Sequence, residues 1–120
     1  MKLGRKTSGG KYKKSRKKKS YEAPGQKRIV KLGEEKRKSK RTMGANRKTY
    51  LLKSETINVV VKGKTKKAKM TNVLETPSNR FLARQNVLTK GTIVETDLGK
   101  VKITNRPSQE GSINGILVKE

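Results

Sequence analysis

Cysteine, histidine and tryptophan are all absent from this sequence of 120 residues. The lack of cysteine excludes disulfide scaffolds, cysteine zinc sites and thiol chemistry, and the lack of histidine excludes histidine metal sites and His-dependent triads. Acidic residues are scarce as well, with 9 Asp plus Glu, so paired-carboxylate mechanisms have few candidate residues. We therefore expect a protein that is not an enzyme and that has no metal site and no cofactor.

Aromatic residues make up only 3% of the sequence. The four of them, Tyr12, Tyr21, Tyr50 and Phe81, are scattered along the chain. Proteins that recognise single strands or loops stack the bases on aromatic side chains. Their scarcity favours recognition of phosphate and shape on folded RNA or duplex, without sequence-specific reading of bases.

Long apolar runs are missing too. The longest, such as residues 59–61 and 116–118, have three residues, whereas a membrane-spanning helix needs about 20. Lys2 and Arg5 follow Met1 where a secretory signal would have an apolar region. We expect a protein of the cytoplasm, or of the nucleus where a nucleus exists, that does not contact a membrane.

Positive charge is what the sequence has in excess. It contains 33 Lys plus Arg against 9 Asp plus Glu, a formal net charge of +24. Self-repulsion of this size disfavours a compact state in a small chain unless a polyanion is bound. Nucleic acid, an anionic membrane and an acidic protein are all candidate partners, and the short apolar runs count against the membrane.

The charge is concentrated in the first 48 residues. These hold 20 basic and 3 acidic residues, net +17, while residues 49–120 hold 13 and 6, net +7. Residues 1–23 have too few apolar side chains to offset a backbone ordering cost of about 1–2 kcal/mol per residue. We predict a basic RNA-threading extension over residues 1–23, disordered when free, then a turn at Pro24-Gly25 and a folded body over residues 24–120.

Apolar residues alternate with polar ones in the body, which predicts strands. The alternation is clearest around Ile57 and Val59, around Ala68 and Met70, and around Val101. Further strands are expected at residues 27–32, 48–53, 91–96 and 113–119, with turn-forming residues between them. The predicted fold class is all-β, a small antiparallel barrel-like body with one short helix and an extended basic N-terminal arm.

Residues 76–86 break the strand pattern and predict the helix. Thr76 is the expected N-cap, with the following proline at the first helical position. Arg80 and Arg84 are four residues apart and should share one face, while Leu82 turns toward the core, with Phe81 as a second candidate for that side.

The most basic segment is residues 11–19, with seven charges in nine positions. Each cation can neutralise a phosphate and release a condensed counterion, so the run predicts a segment that follows a nucleic-acid backbone. A localisation signal or a solubilising tail is the alternative, but no acid balances the run. Residues 4–10, just before it, join glycines to basic residues, which suits close backbone approach to phosphates and suits a flexible linker equally well.

Residues 36–43 are basic on both sides of a strand pattern. We predict an edge or protruding strand that contacts RNA through Arg37, Lys38, Lys40 and Arg41, and we extend the contact through residues 44–48, where Gly44 predicts a bend. The alternative explanation is that exposed charge prevents edge-to-edge association.

Two possible catalytic signatures are rejected. The Gly-Lys-Thr at residues 63–65 is similar to the end of a P-loop, but Asn58 stands where that motif needs its first glycine. A hairpin turn is predicted there instead. Glu95 and Asp97 are explained by strand alternation followed by a turn, with local pairing to lysines.

Five motifs, in the same order, resemble those of the small-subunit ribosomal protein family eight of archaea and eukaryotes. They are residues 4–10 with the basic run after them, residues 44–48, residues 77–80, residues 86–96, and residues 104–111 with Asn114-Gly115. The short chain is similar to the archaeal type. Two departures are Thr76, where that family usually has Asn, and Ser108, where Gly is frequent.

The resemblance implies a structural constituent of the small ribosomal subunit that binds folded ribosomal RNA through phosphate contacts and stabilises its tertiary packing. Its partners would be small-subunit ribosomal RNA and neighbouring small-subunit proteins, with no small-molecule substrate. The alternative is an architectural, chromatin-like protein on duplex DNA. The RNA-facing residues implied by the resemblance, apart from the strand residues above, are Arg5, Lys6, Ser8, Gly9, Gly10, Lys11, Lys13, Lys14, Arg16, Lys17, Lys18, Lys19, Asn46, Arg47, Lys48, Arg80, Arg84, Lys90 and Arg106.

Overall fold

Strands form most of the body. In the computed structural model, which describes residues 4–13 and 15–118, these strands build two sheets. The strands are β1 (Lys31–Leu32), β2 (Lys36–Arg41), β3 (Arg47–Ser54), β4 (Thr56–Val61), β5 (Lys64–Glu75), β6 (Ile93–Thr96), β7 (Gly99–Ile103) and β8 (Asn114–Leu117). The predicted all-β class is confirmed. The last predicted strand ended at Lys119, which lies outside the described residues.

Strands β4 to β8 close into a barrel in sequence order. Successive strands are antiparallel, and the barrel closes through a parallel pairing of β4 with β8, in which Val59 lies beside Gly115. The predicted barrel is therefore confirmed, but its closure is parallel where an antiparallel body was expected. A closed barrel leaves no open edge on this sheet.

The hydrophobic core fills the barrel and extends under β3. Predicted alternation is correct at each strand where it was clearest, since the inward members are buried and their neighbours are more exposed. The buried cluster consists of Val30, Leu51, Ile57, Val59, Ala68, Met70, Val73, Leu88, Val94, Val101, Ile103 and Ile113. All of these lie in the body, so the body has a core of its own.

The second sheet has the order β1-β3-β2, which places β2 at an edge. Strand β2 is antiparallel to β3 and exposed along its whole length. The predicted edge strand is thus confirmed. The strand predicted at residues 27–32 is wrong except at Lys31–Leu32. The buried Val30 lies outside the strand, and its carbonyl accepts a hydrogen bond from the Leu88 amide at 2.8 Å.

The hairpin predicted at residues 63–65 is confirmed. Val61 of β4 pairs with Lys64 of β5, leaving Lys62 and Gly63 as a two-residue turn in which both have positive φ, 47° and 78°. Two-residue turns of this kind match the twist of antiparallel strands. Asn58 lies within β4 and not in a phosphate-binding loop.

Helix α1 (Arg80–Arg84) is shorter than predicted and begins later. Thr76 as N-cap is wrong, since the Asn79 side chain caps the helix by accepting a hydrogen bond from the Phe81 amide at 3.0 Å. Thr76 is buried where β5 ends. Phe81 is exposed and not turned toward the core, because so short a helix has one inward face, occupied by Ala83. No helix in the described part of the chain is long and apolar enough to cross a membrane.

The N-terminal arm, residues 4–23 as described except residue 14, stands apart from the core. Among its described residues the hydrogen bonds join residues of the arm itself, and one 3-10 turn forms at Ser20–Glu22. The Pro24-Gly25 pair lies in irregular backbone without the predicted turn. The radius of gyration is 21.3 Å, against about 14 Å for a compact chain of this length, so the molecule is elongated.

Candidate nucleic-acid interface

The arm begins with a tight loop over residues 5–11. The Lys6 amide donates to the Gly10 carbonyl and the Gly9 amide donates to the Lys6 carbonyl, each at 2.9 Å. The backbones of Arg5 and Lys11 pair as an isolated antiparallel β-bridge. Gly9 has φ +80° and open space where a Cβ would stand. A side chain is disfavoured there by conformation, and a phosphate can approach the backbone closely. The predicted glycine motif is therefore a formed loop with an accessible backbone.

The basic run at residues 11–19 is exposed wherever the structure describes it, and Lys14 lies outside the described residues. Arg16 is paired within the arm, donating to the two carboxylate oxygens of Glu22 at 2.6 and 2.8 Å. This hydrogen bonding from Arg16, with a second from the Lys19 amide, lowers the pKa of the Glu22 carboxyl below its ordinary value. The carboxylate stays ionised, so a phosphate must compete with Glu22 for Arg16.

Residues 36–48 form a basic ribbon, made of β2, a tip and the start of β3. In its register Lys40 lies opposite Lys48, and Arg41 lies opposite Arg47. Directly opposed side chains of an antiparallel pair share a face, and like charges there are destabilising. All four side chains belong to exposed residues. The fold thus brings these predicted RNA-binding residues together in like-charged pairs that a bound anion would relieve.

The tip of the ribbon is a 3-10 turn at Met43–Ala45. The Thr42 amide and hydroxyl both donate to the Asn46 carbonyl, at 2.8 and 3.1 Å, and the Asn46 amide group donates to the Met43 carbonyl at 3.4 Å. Gly44 has φ 73°, so the predicted bend is present. Asn46 shapes the tip through these bonds, which differs from the simple RNA contact expected of it.

The base of the ribbon is less available than its tip. Arg37 forms an ion pair with Glu35, and Lys38 lies opposite Tyr50. The Tyr50 ring is buried, and the Arg28 guanidinium carbon lies 3.9 Å from its centroid. Arg37 therefore has a carboxylate partner already, while Lys38 remains exposed beside a covered ring.

A basic groove of about 640 Å³ opens in the body, between the segment before β1 and the loops around residues 87–90 and 106–109. Lys90 and Arg106, both predicted to contact RNA, line it together with Lys27 and Arg28. None of the described residues that line the groove is acidic. The Lys27-Arg28 pair was not predicted from the sequence. The feature that could have identified it is its position, as a basic pair directly before the apolar residues that lead into the core.

Helix α1 carries the last predicted pair. Arg80 and Arg84 line one shallow depression, as their spacing predicts, and Phe81 lies between them. The Arg80 guanidinium carbon is 5.4 Å from the centroid of the Phe81 ring. The sequence prediction considered this ring for the core side of the helix together with Leu82. The position of Phe81 on the surface was therefore not predicted.

The rejected carboxylate pair does not form a site. Glu95 lies within β6, and Asp97 lies in the turn after it, where its carboxylate accepts a hydrogen bond from the Lys69 amide at 3.3 Å. Among residues 4–13 and 15–118 no group of three or more acidic side chains is close enough to hold a metal ion. The chemistry available to the surfaces above is the binding of anions.

Known proteins are similar to this chain along nearly its whole length. The model of a family described as Ribosomal protein S8e matches residues 1–118. The small ribosomal subunit protein eS8 of Nanoarchaeum equitans is 48% identical over 107 residues, which cover 88% of this chain and 84% of the relative. The protein of the same name from Methanocella arvoryzae is 45% identical over 116 residues, covering 95% and 93%. That of Staphylothermus marinus is 44% identical over 119 residues, covering 97% and 93%.

Proposed function

The chain belongs to the ribosomal protein S8e family, and from that premise we propose that it binds folded small-subunit ribosomal RNA through phosphate contacts and stabilises the tertiary packing of that RNA. As a member of this family it is a structural constituent of the small ribosomal subunit, located with the ribosome in the cytoplasm, and not an enzyme. Neighbouring small-subunit proteins are its other proposed partners.

The ribbon is the observation that carries phosphate binding. Its fold holds Lys40 against Lys48 and Arg41 against Arg47, although like charges at opposed positions reduce the stability of the free protein. A phosphate backbone beside the ribbon neutralises both pairs and releases its own counterions. The arrangement is unfavourable in the free protein and favourable in a complex with a polyanion.

The arm adds a second contact region in this proposal. Ordering about 20 residues costs roughly 20–40 kcal/mol of backbone entropy, so only a nearly continuous lining of RNA offsets it. The loop at residues 5–11 already has internal hydrogen bonds, which reduces the part of the cost that falls on those residues. We propose that the arm becomes ordered along phosphates while the body docks on folded RNA.

The proposed RNA contacts are the residues expected from the sequence, with Lys27 and Arg28 added because they line the same groove as Lys90 and Arg106. Family membership gives no support to the alternative of a chromatin-like protein on duplex DNA. We therefore retain RNA as the partner.

The double variant Arg80→Ala with Arg84→Ala tests phosphate contact on the body. If each arginine neutralises one phosphate, the plot of log affinity against log salt should become shallower. Its slope should decrease in magnitude by about 1.4–1.8, the contribution of two phosphates. The measurement is filter binding of the full chain to in-vitro-folded small-subunit ribosomal RNA, between about 50 and 200 mM salt.

The matched control is Lys64→Ala with Lys66→Ala, which removes two exposed cations of β5 that are outside the proposed set. Its slope should fall by less than half as much. Equal slopes for the arginine variant and the wild-type chain would contradict the proposal at α1. Equal affinity of the wild-type chain for folded ribosomal RNA and for duplex DNA of the same length would contradict the choice of partner.

A further inference from the structure

Phe81 is an aromatic side chain on the surface of the folded body. Phe81 is 57% exposed, whereas Tyr50, the other aromatic residue of the body, is 8% exposed. Burying a phenylalanine contributes about 1.5–3 kcal/mol, so a ring left in water contributes little to the stability of the free protein. The exposed ring is therefore available to contact a ligand.

The ring is held in a defined position. Asn79 caps the first turn of α1 through the Phe81 amide, and Ala83, on the inward side of the helix, packs against the buried core. The helix is thus anchored at its start and along its inner face. Phe81 projects from a fixed element and not from a loose loop, which limits the entropy lost when a ligand binds to it.

Two cations surround the ring. The Arg80 guanidinium carbon lies 5.4 Å from the ring centroid, and Arg84 lines the same depression, whose lining among the described residues contains no acidic side chain. An aromatic face beside two guanidinium groups matches a nucleotide, because a base stacks on the ring while the adjoining phosphates meet the arginines. An apolar protein surface would leave those two charges without partners, and covering them would carry a desolvation cost.

We propose that Phe81 is a stacking platform for an unpaired base of the small-subunit ribosomal RNA, with Arg80 and Arg84 holding the phosphates beside that base. This inference rests on the proposed function and adds base contact to a surface otherwise assigned to phosphate. Every base has a π face, so the platform accepts a base without selecting its identity.

The absence of tryptophan from the chain allows a direct test. In the Phe81→Trp variant the single indole reports on this position alone. Stacking against a base should quench its emission and shield it from acrylamide when folded small-subunit ribosomal RNA is added to the full chain. In parallel, Phe81→Leu, which keeps apolar bulk but not the π system, should bind the same RNA about 5- to 150-fold more weakly.

The matched control is Ile116→Ala, another exposed apolar residue, on a strand that does not pair with β5. It should bind as the wild-type chain does, and a thermal melt of each variant monitors folding. Phe81→Leu affinity within two-fold of wild type would overturn the inference, as expected if the ring contacts a neighbouring protein instead. Weakened binding with unchanged emission of the tryptophan variant would overturn stacking.

These outcomes separate the inference from the proposed function. Suppose that the salt dependence of the Arg80→Ala with Arg84→Ala variant weakens as predicted while Phe81→Leu binds RNA as tightly as the wild-type chain. Phosphate binding would then stand, and only the stacked base would be excluded. Failure of the wild-type chain to bind the RNA at all would overturn both.

Discussion

Gly115 lies in β8, where that strand pairs with β4 on one side and with β7 on the other. A Cβ added to it would stand 2.5 Å from the Val101 Cγ1 atom and 2.9 Å from the Lys102 carbonyl oxygen. The second contact is with backbone and cannot be relieved by turning a side chain. At this position the absence of a side chain permits β8 to pack closely against β7, its antiparallel neighbour in the barrel.

Gly115→Ala should therefore lower the free energy of unfolding by about 1–3 kcal/mol through overpacking. Urea denaturation of the variant and the wild-type chain measures the difference. Gly25→Ala is the control, because a Cβ there meets no atom within 4 Å, and its unfolding should match that of the wild type. An unchanged midpoint for Gly115→Ala would mean that the strands separate without cost.

Single residues of the candidate site were predictable by type but not by environment. Lysines and arginines are visible in the sequence, and their excess alone predicts an anionic partner. Whether each is available depends on neighbours in space, as with Arg16, which is paired with Glu22, or Arg37, which is paired with Glu35. Phe81 was a second candidate, beside Leu82, for the core side of the helix, and only the fold shows it at the surface.

At the level of elements, the ribbon separates stability from binding. Its opposed cations weaken the free strand pair, yet they place four exposed positive charges side by side on neighbouring strands. One substitution should therefore change the two properties in opposite directions.

Lys48→Glu turns the pair with Lys40 into an attractive one. We expect the free energy of unfolding to rise by about 0.2–1 kcal/mol. We expect affinity for folded ribosomal RNA to fall and its salt slope to decrease by about 0.7–0.9, because one phosphate contact is lost. Urea denaturation and filter binding measure the two effects.

Lys66→Glu is the control for the ribbon, because this substitution makes the same change in net charge. Lys66 lies opposite Val59, so no cation faces it. Its stability gain should be smaller than that of Lys48→Glu. Lower stability or unchanged RNA affinity in Lys48→Glu would contradict this account of the ribbon.

The strands were easier to predict than the helix. Alternation along β4 and β7 is a local pattern with a period of two, and burial follows it directly. The start of α1 depends on a choice between two polar residues, Thr76 and Asn79, that can both cap a helix. Thr76 is buried at the end of β5, so tertiary packing removed it from the competition.

At the scale of the molecule, the arm and the body differ in their share of the buried core. The buried core runs from Val30 to Ile113 and includes no residue of the arm. In the part of the arm that the structure describes, the hydrogen bonds join residues of the arm itself. The body should therefore fold without the arm.

Deletion of residues 1–23 should leave the thermal midpoint within a few degrees of the full chain. It removes ten Lys plus Arg and one acid, so RNA affinity should fall sharply and the salt slope should decrease by about 0.7–0.9 for each phosphate that the arm contacts. Circular dichroism melts and filter binding measure both. A truncated chain that fails to fold, or that binds RNA with the full salt slope, would contradict the division of roles.

A variant that keeps the length of the arm distinguishes charge from chain length. Lys17→Gln, Lys18→Gln and Lys19→Gln together should reduce the slope by at most three phosphates, about 2.1–2.7, without affecting folding. A larger loss would show that these lysines also organise the rest of the arm.

The sequence by itself determined the excluded chemistry, the excess of positive charge and its concentration in the first 48 residues, and the strands whose alternation is local. Only the tertiary structure decided the parallel closure of the barrel, the register that opposes Lys40 to Lys48, the grouping of Lys27 and Arg28 with Lys90 and Arg106, and the exposure of Phe81. The reason is the range of the interactions. Composition and alternation act between neighbours in the chain, whereas strand partners such as Val59 and Gly115 are brought together only when the whole barrel closes.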